Sequence, residues 1–246
     1  MRIGGEIMRF KLYFELENEH FPIQYRKNIL SFIKLSLTEY SEEYYKKLYN
    51  EKDNIIKPYT FAVFFRNPNF QESDILIQDK TFQINLSVAD YEIGVALYNA
   101  FNHQKNKKFS LNNNSWILKN ITLLNERIIN TETIKIKFLS PLVVRSRENK
   151  KDYYYSYQNE EFINMLKINV KEQLQITDIT QELVDTIDLK AIQGKKVIIK
   201  FYEKKMECSL GTYELTGDKK LLRYLYQAGI GSRRSSGFGM FEVIEK

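Results

Sequence analysis

The most informative part of the chain lies near its end and reads Ala228-Gly229-Ile230-Gly231-Ser232-Arg233-Arg234-Ser235-Ser236-Gly237-Phe238-Gly239-Met240. Two Gly-X-Gly pairs flank a short basic and hydroxyl-rich tract. The preceding residues, 218–227, have the apolar spacing of a helix, and residues 238–244 alternate like a strand. The sequence therefore predicts a Gly-rich loop that joins a helix to a terminal strand.

This loop is suited to contact with a phosphate chain. Glycines permit positive φ and leave the backbone uncovered, so N–H groups can approach phosphates directly, and the two arginines supply charge. A helix precedes the loop, which is the reverse of the order in a Rossmann fingerprint or a P-loop. The alternative is a plain tight turn. The candidate binding residues are Gly229, Gly231, Ser232, Arg233, Arg234, Ser235, Ser236, Gly237 and Gly239.

The same order of elements is predicted twice along the chain. In the first half we expect strands at 8–16, 59–66, within 74–88 and at 115–124, with helices at 25–38, 41–49 and 91–102. In the second half we expect strands at 133–144, 186–193, 196–204 and 206–215 and a helix at 160–173, before the helix, loop and strand described above. This α+β pattern predicts tandem ferredoxin-like domains with antiparallel sheets, residues 1–126 and 127–246, joined in the polar stretch 125–132.

Composition favours a nucleic-acid partner. The formal net charge is +6, and the 17 tyrosines and 16 phenylalanines offer rings that could stack on unpaired bases, although most rings are expected in the cores. Cys208 is the only cysteine, so the sequence predicts no disulfide and no cysteine-based metal site. With no apolar run of membrane-spanning length and no signal-peptide pattern, we expect a cytoplasmic protein without membrane contact.

A second basic segment precedes three consecutive tyrosines, Tyr153 to Tyr155. Its cations are Arg145, Arg147, Lys150 and Lys151. As an RNA clamp, these cations would hold phosphates while a tyrosine stacks on a base. As the solvated tip of a hairpin, they would need no function.

The chain resembles the Cas6 endoribonucleases, the repeat-processing enzymes of CRISPR systems. The resemblance rests on the glycine loop, the opening strand Met8-Arg9-Phe10-Lys11-Leu12-Tyr13-Phe14-Glu15-Leu16 and the segments Lys57-Pro58-Tyr59-Thr60-Phe61-Ala62 and Phe138-Leu139-Ser140-Pro141-Leu142-Val143-Val144-Arg145. It covers residues 8–246. It implies binding of CRISPR repeat RNA and metal-independent cleavage, without a cofactor. A CRISPR interference complex and a homodimer are further partners that it leaves open.

The resemblance also implies catalytic positions in the first domain. Many Cas6 enzymes use a histidine that ends the short second helix, a tyrosine on the first helix and a lysine before the second strand. The corresponding positions here are Tyr49, Lys34 and Lys57, so the histidine is absent. His20 and His103 lie elsewhere and are expected at the surface.

The residues at these positions predict slow catalysis. A tyrosine or lysine titrates near pH 10 unless its pKa is shifted, and is therefore a poor base at neutral pH. Lys34, Lys52 and Lys57 could stabilise the phosphorane and protonate the leaving 5′-oxygen, while Tyr49 orients the 2′-hydroxyl and in-line geometry supplies much of the rate. Lys52, together with Lys46 and Lys47, could instead belong to the solvent face of the short helix and its following loop.

Two other functions stay open at this point. A catalytically inactive relative would bind repeat RNA as a Cas6-like or RAMP subunit of an interference complex, and would form no cyclic phosphate. A ferredoxin-like module that binds an acidic ligand or a partner protein would show no salt-sensitive RNA binding, since phosphate contacts weaken as salt rises.

Overall fold

A computed structural model describes residues 8–50, 55–111, 113–125 and 127–244. The chain divides into two compact units. The described residues of Met1–Pro58 and Ala62–Asn125 form the first, and those of Tyr59–Phe61 and Glu126–Lys246 form the second. None of the described helices is both long and apolar enough to cross a membrane.

The first unit is built on a five-stranded sheet with the strand order β3-β6-β1-β8-β7. Its elements are β1 (Met8–Leu16), β2 (His20–Pro22), α1 (Tyr25–Tyr40), α2 (Glu42–Tyr49), β3 (Tyr59–Phe65), β4 (Asn69–Phe70), β5 (Asp74–Leu76), β6 (Thr81–Val88), α3 (Tyr91–Gln104), β7 (Lys108–Ser110) and β8 (Ser115–Leu123). The first three residues of β3 are counted with the second unit. A second, three-stranded sheet has the order β2-β5-β4, and its strands fall between β1 and β6 along the chain. β1 pairs antiparallel with both β6 and β8.

The second unit repeats this topology with the strand order β12-β13-β9-β14. Its elements are β9 (Thr133–Phe138), β10 (Val144–Glu148), β11 (Lys151–Tyr155), α4 (Phe162–Gln173), β12 (Asp188–Phe201), β13 (Lys204–Thr216), α5 (Lys219–Ala228) and β14 (Phe241–Val243). The four core strands of the first unit are β1, β3, β6 and β8, and β1 lies between β6 and β8. In the second unit β9 likewise lies between β13 and β14. This is the ferredoxin-like arrangement. The predicted tandem ferredoxin-like fold is thereby confirmed.

Burial explains why apolar and polar residues alternate along the strands. β9 reads Thr-Ile-Lys-Ile-Lys-Phe, and its apolar residues are buried while its polar residues are exposed. In β1, Phe10, Leu12 and Phe14 are buried in the same way. The Phe14 ring stacks on Phe82 at 4.7 Å between centroids, so aromatic rings fill much of the first core, as expected.

Two predicted strand assignments were wrong. The strand expected at 133–144 ends at Phe138, because Ser140 and Pro141 interrupt it, and a separate hairpin starts at Val144. The two strands expected at 186–193 and 196–204 are one continuous β12. It turns into β13 at Tyr202 and Glu203, both of which have positive φ, as a two-residue hairpin turn requires.

Candidate functional site

The Gly-rich loop folds against its own unit rather than standing clear of it. Gly237 has φ +83°, and a Cβ there would lie 2.5 Å from the Phe61 ring. A Cβ at Gly231 would lie 2.6 Å from the Val143 carbonyl oxygen. The loop glycines are all buried, so close packing of the backbone accounts for them directly.

Backbone donors of the loop are engaged within the protein. The Ser232 N–H donates to the Val143 carbonyl at 2.8 Å, and the Gly239 N–H donates to the Pro141 carbonyl at 2.9 Å. The Gly237 N–H closes a turn on the Arg234 carbonyl at 3.0 Å. The expectation that the N–H groups of this loop approach a phosphate is therefore corrected at these positions, because each already has an internal acceptor.

The two adjacent arginines of the loop have different environments. Arg234 is 6% exposed, and its Nη1 donates to the Ala228 carbonyl at 2.8 Å, which ties the loop to the end of α5. Burial lowers the pKa of Arg234, while Tyr224 acts in the opposite sense. The Arg233 side chain is 24% exposed and its Nη2 donates to the Tyr154 hydroxyl at 3.3 Å. Of the pair, Arg233 is the one that reaches the surface.

Arg233 belongs to a charged group that we name the Asp152 cluster, formed by Asp152, Arg145, Lys204 and Arg233. Asp152 lies on β11, and its side chain is 6% exposed. Its Oδ1 lies 3.2 Å from the Arg145 Nη1, and its Oδ2 lies 2.6 Å from the Lys204 Nζ and 3.5 Å from the Arg233 Nη2. The hydrogen bond from Lys204, together with the charges of all three cations, lowers the pKa of the Asp152 carboxyl despite its partial desolvation.

The remaining basic candidates lie on the same hairpin. β10 pairs with β11 antiparallel, and the turn between them contains Asn149 and Lys150, both with positive φ. Arg147, Lys150 and Lys151 are exposed, and the Lys151 Nζ lies 5.3 Å from the centroid of the Tyr153 ring. On the Gly-rich loop, the serine candidates Ser232, Ser235 and Ser236 are half-buried.

In the first unit, three of the four catalytic candidates come together. The Lys34 Nζ lies 5.1 Å and the Lys57 Nζ 4.9 Å from the centroid of the Tyr49 ring. Tyr45 stacks on the same ring with 5.6 Å between centroids. We call this group the Tyr49 cluster. Lys52, the fourth candidate, lies outside the described residues.

Local structure accounts for this arrangement. Lys34 projects from the exposed face of α1, and Tyr49 is the last residue of α2. Lys57 lies in the segment that leads into β3 and is half-buried. Burial and, to a smaller extent, the charge of Lys34 lower the pKa of Lys57. The cluster therefore places an ammonium group that gives up its proton more readily than a free lysine beside a phenol.

The two histidines make separate contacts. His20 lies 3.5 Å from Asp74, and His103 lies 3.9 Å from Glu39. Both side chains are about half exposed, at 57% and 49%. Within the described residues, no group of three or more histidine, cysteine, aspartate or glutamate side chains could hold a metal ion.

Sequence reasoning missed Asp152, Lys204 and Tyr45, and it considered Tyr154 only as a ring that could stack on a base. Asp152 and Tyr154 lie next to the predicted basic run, and a hairpin register would have placed Arg147 opposite Asp152 and Arg145 opposite Tyr154. Lys204 is 52 residues from Asp152 and has no comparable signal in the sequence.

Comparison with known proteins agrees with this fold. Residues 124–243 match the family described as "CRISPR associated protein Cas6, C-terminal". No curated protein matches the chain in sequence.

Three solved structures illustrate the similarity. One, from a characterization of a Cas6-related gene of Pyrococcus furiosus, has a TM-score of 0.86 and 20% identity over 98% of this chain and 99% of its own. A RAMP protein described as binding different RNA substrates has a TM-score of 0.84 and 19% identity over 97% and 100%. A Thermus thermophilus Cas6 in a product complex has a TM-score of 0.72 and 13% identity over 97% and 100%. At these identities the likeness shows the fold, and together with the matched C-terminal domain it confirms the predicted Cas6 resemblance.

Proposed function

From the Cas6 fold and the Cas6 C-terminal domain of this chain, we propose that the protein binds CRISPR repeat RNA and cuts it without a metal ion. The 2′-oxygen attacks the adjacent phosphorus as its proton passes to water, the bond to the 5′-oxygen breaks and that oxygen takes up a proton, and the products carry a 2′,3′-cyclic phosphate and a 5′-hydroxyl. The observation that supports cleavage is the Tyr49 cluster, in which Lys34 and Lys57 both lie about the ring of Tyr49.

Each member of this cluster has a chemical role. Lys57 and Lys34 supply positive charge to the phosphorane, where negative charge accumulates in the transition state. Lys57 then donates a proton to the leaving 5′-oxygen, and its lowered pKa makes this transfer easier than for an ordinary lysine. The Tyr49 hydroxyl orients the 2′-hydroxyl for in-line attack. Lys52 remains a further candidate for the same charge stabilisation.

The second unit supports binding. Arg145, Arg147, Lys150 and Lys151 on the hairpin and Arg233 on the glycine loop present cations that suit RNA phosphates. Arg234 acts indirectly, because its guanidinium is buried against the loop it supports.

A second function follows from the phenol at position 49. A tyrosine hydroxyl is not an effective base at neutral pH, so the same cluster could hold a phosphate without cutting. The protein would then be a repeat-RNA carrier within an interference complex.

Cleavage of the repeat RNA from the neighbouring CRISPR array, measured in EDTA with mapped product ends, tests the proposal. We expect chelator-resistant cutting to a 2′,3′-cyclic phosphate, and no cutting of a matched RNA with a 2′-deoxy nucleotide at the scissile position. Tight binding without product would establish the carrier function instead. Absence of salt-sensitive binding would refute both.

A further inference from the structure

The Asp152 cluster joins three separate parts of the second unit. Arg145 lies on β10, Lys204 opens β13, and Arg233 lies on the glycine loop. All three reach one carboxylate on β11, at 2.6 to 3.5 Å. Contact with the shared carboxylate holds the three charged groups in place, although each is carried on a long, flexible side chain.

The charges of this cluster do not balance. Three cations face one carboxylate, which leaves an excess of two positive charges, and among the described residues Asp152 is the one ion-pair partner of each cation. One cation would neutralise the charge of the carboxylate, so two positive charges remain without a compensating negative charge in the cluster. Excess cations held at one place repel each other unless a further anion joins them.

Exposure shows on which side that anion would bind. The carboxylate side chain is 6% exposed, whereas those of Arg145, Lys204 and Arg233 are 27%, 52% and 24% exposed. The acid therefore lies beneath the cations, which reach outward. The Tyr154 hydroxyl, which accepts from Arg233 and donates to Asp152 at 3.4 Å, completes the inner layer.

We propose that Arg145, Lys204 and Arg233 form one binding site for an RNA backbone phosphate, and that Asp152 is the positioning residue that holds them together. The proposal rests on the proposed function, since it takes RNA as the ligand. It adds Lys204 as a phosphate contact and treats the hairpin arginine and the loop arginine as parts of one site. Guanidinium and ammonium groups are the usual partners of phosphate oxygens.

The first test compares Lys204→Ala with Lys205→Ala. The two lysines are consecutive in β13, so their side chains point to opposite faces and each substitution removes one charge. Binding of repeat RNA and of an oligouridylate of equal length is measured across a salt series. We expect Lys204→Ala to reduce the slope of log K against log salt by roughly 0.7 to 0.9, the value for one lost phosphate contact, and Lys205→Ala to leave it unchanged. Equal slopes in the two variants would overturn the site.

The second test uses Asp152→Asn, which makes the site more positive by one charge. If Asp152 positions the cations, RNA affinity falls by roughly threefold to tenfold despite the added charge. If Asp152 only offsets them, affinity rises, and the positioning role is refuted. Thermal unfolding checks that the variant is folded, and Lys204→Ala remains informative if it is not.

The two proposals fail in different ways. If repeat RNA is neither cut nor preferred over oligouridylate, the proposed function is refuted while a Lys204-dependent salt slope still supports the phosphate site. If repeat RNA is cut and the Lys204→Ala and Lys205→Ala slopes agree, the function stands and the phosphate site does not.

Discussion

The Nζ atom of Lys57 lies 4.9 Å from the centroid of the Tyr49 ring, and Lys34 approaches the same ring at 5.1 Å. The negative face of an aromatic ring attracts an ammonium group, which offsets part of the repulsion between the two lysines. Tyr49 therefore holds two like charges close together, which is the arrangement that the proposed cleavage mechanism requires. Three of the predictions below depend on this relationship.

Replacing Lys57 with alanine should reduce cleavage with little effect on RNA affinity. If Lys57 stabilises the phosphorane and protonates the leaving oxygen, we expect the single-turnover rate to fall roughly 100-fold to 1,000-fold. Lys46→Ala is the matched control, because Lys46 is an exposed lysine on α2 that pairs with Glu42. Equal rates for the Lys57 and Lys46 variants would remove Lys57 from the mechanism.

The buried charge of Lys57 should lower the free energy of unfolding at neutral pH. Because the pKa of Lys57 is lower in the folded state, the unfolded chain binds more protons between the two pKa values. The free energy of unfolding therefore increases with pH in that interval, and at neutral pH the buried charge is unfavourable. We expect Lys57→Met to raise the melting temperature by a few degrees at pH 7, with a smaller gain near pH 10. Lys46→Met should show no gain, and a destabilised Lys57→Met would contradict the reasoning.

Changing Tyr49 separates the roles of its ring and its hydroxyl. Tyr49→Phe keeps a ring for the two lysines but removes the group proposed to orient the 2′-hydroxyl, so we expect normal stability and slower cleavage. Tyr49→His introduces a group that titrates near pH 6.5 and can act as a base. We expect its cleavage rate at pH 7.5 to exceed that of the native protein by roughly tenfold or more. A rate below that of Tyr49→Phe would show that the site cannot use a base at this position.

Gly237 should tolerate no side chain. Its φ is +83°, and a Cβ would lie 2.5 Å from the Phe61 ring. We expect Gly237→Ala to lower the free energy of unfolding by roughly 2 to 4 kcal/mol, from backbone strain plus overpacking. Gly217→Ala is the control, since the nearest atom would be 3.3 Å away on a leucine side chain. Denaturant unfolding measures both, and adding Phe61→Leu to Gly237→Ala should recover the part due to overpacking.

Local patterns predicted most of the fold. Burial alternates along β9 with a period of two residues. In α5, the buried Leu221, Leu222 and Leu225 recur with the period of a helical turn. Both periods can be recognised in the sequence. The errors arose at residues that signal a break locally, because only the fold decides whether the strand ends there. The apolar pattern continues past Ser140 and Pro141, yet the strand ends before them, whereas β12 continues through Gly194, which pairs with Gly211 in β13.

Three residues of the Tyr49 cluster could also be named from the sequence, through the Cas6 resemblance, whereas Tyr45 could not. Lys34, Tyr49 and Lys57 are 23 residues apart at most, and two helices and a short connection lead from one to the next. The sequence does not give the distances at which the two ammonium groups meet the ring.

The sequence alone determined the order of the elements, the repeated ferredoxin-like pattern and the presence of a basic glycine loop, because these depend on neighbouring residues. Only the tertiary structure decided which of two adjacent arginines faces outward. Arg233 adopts a left-handed backbone with φ 58°, which turns its side chain toward Asp152, while Arg234 is enclosed beside Tyr224 and Ala228. The two residues have the same chemistry and nearly the same position in the chain, so their different roles come from packing contacts that no local pattern encodes.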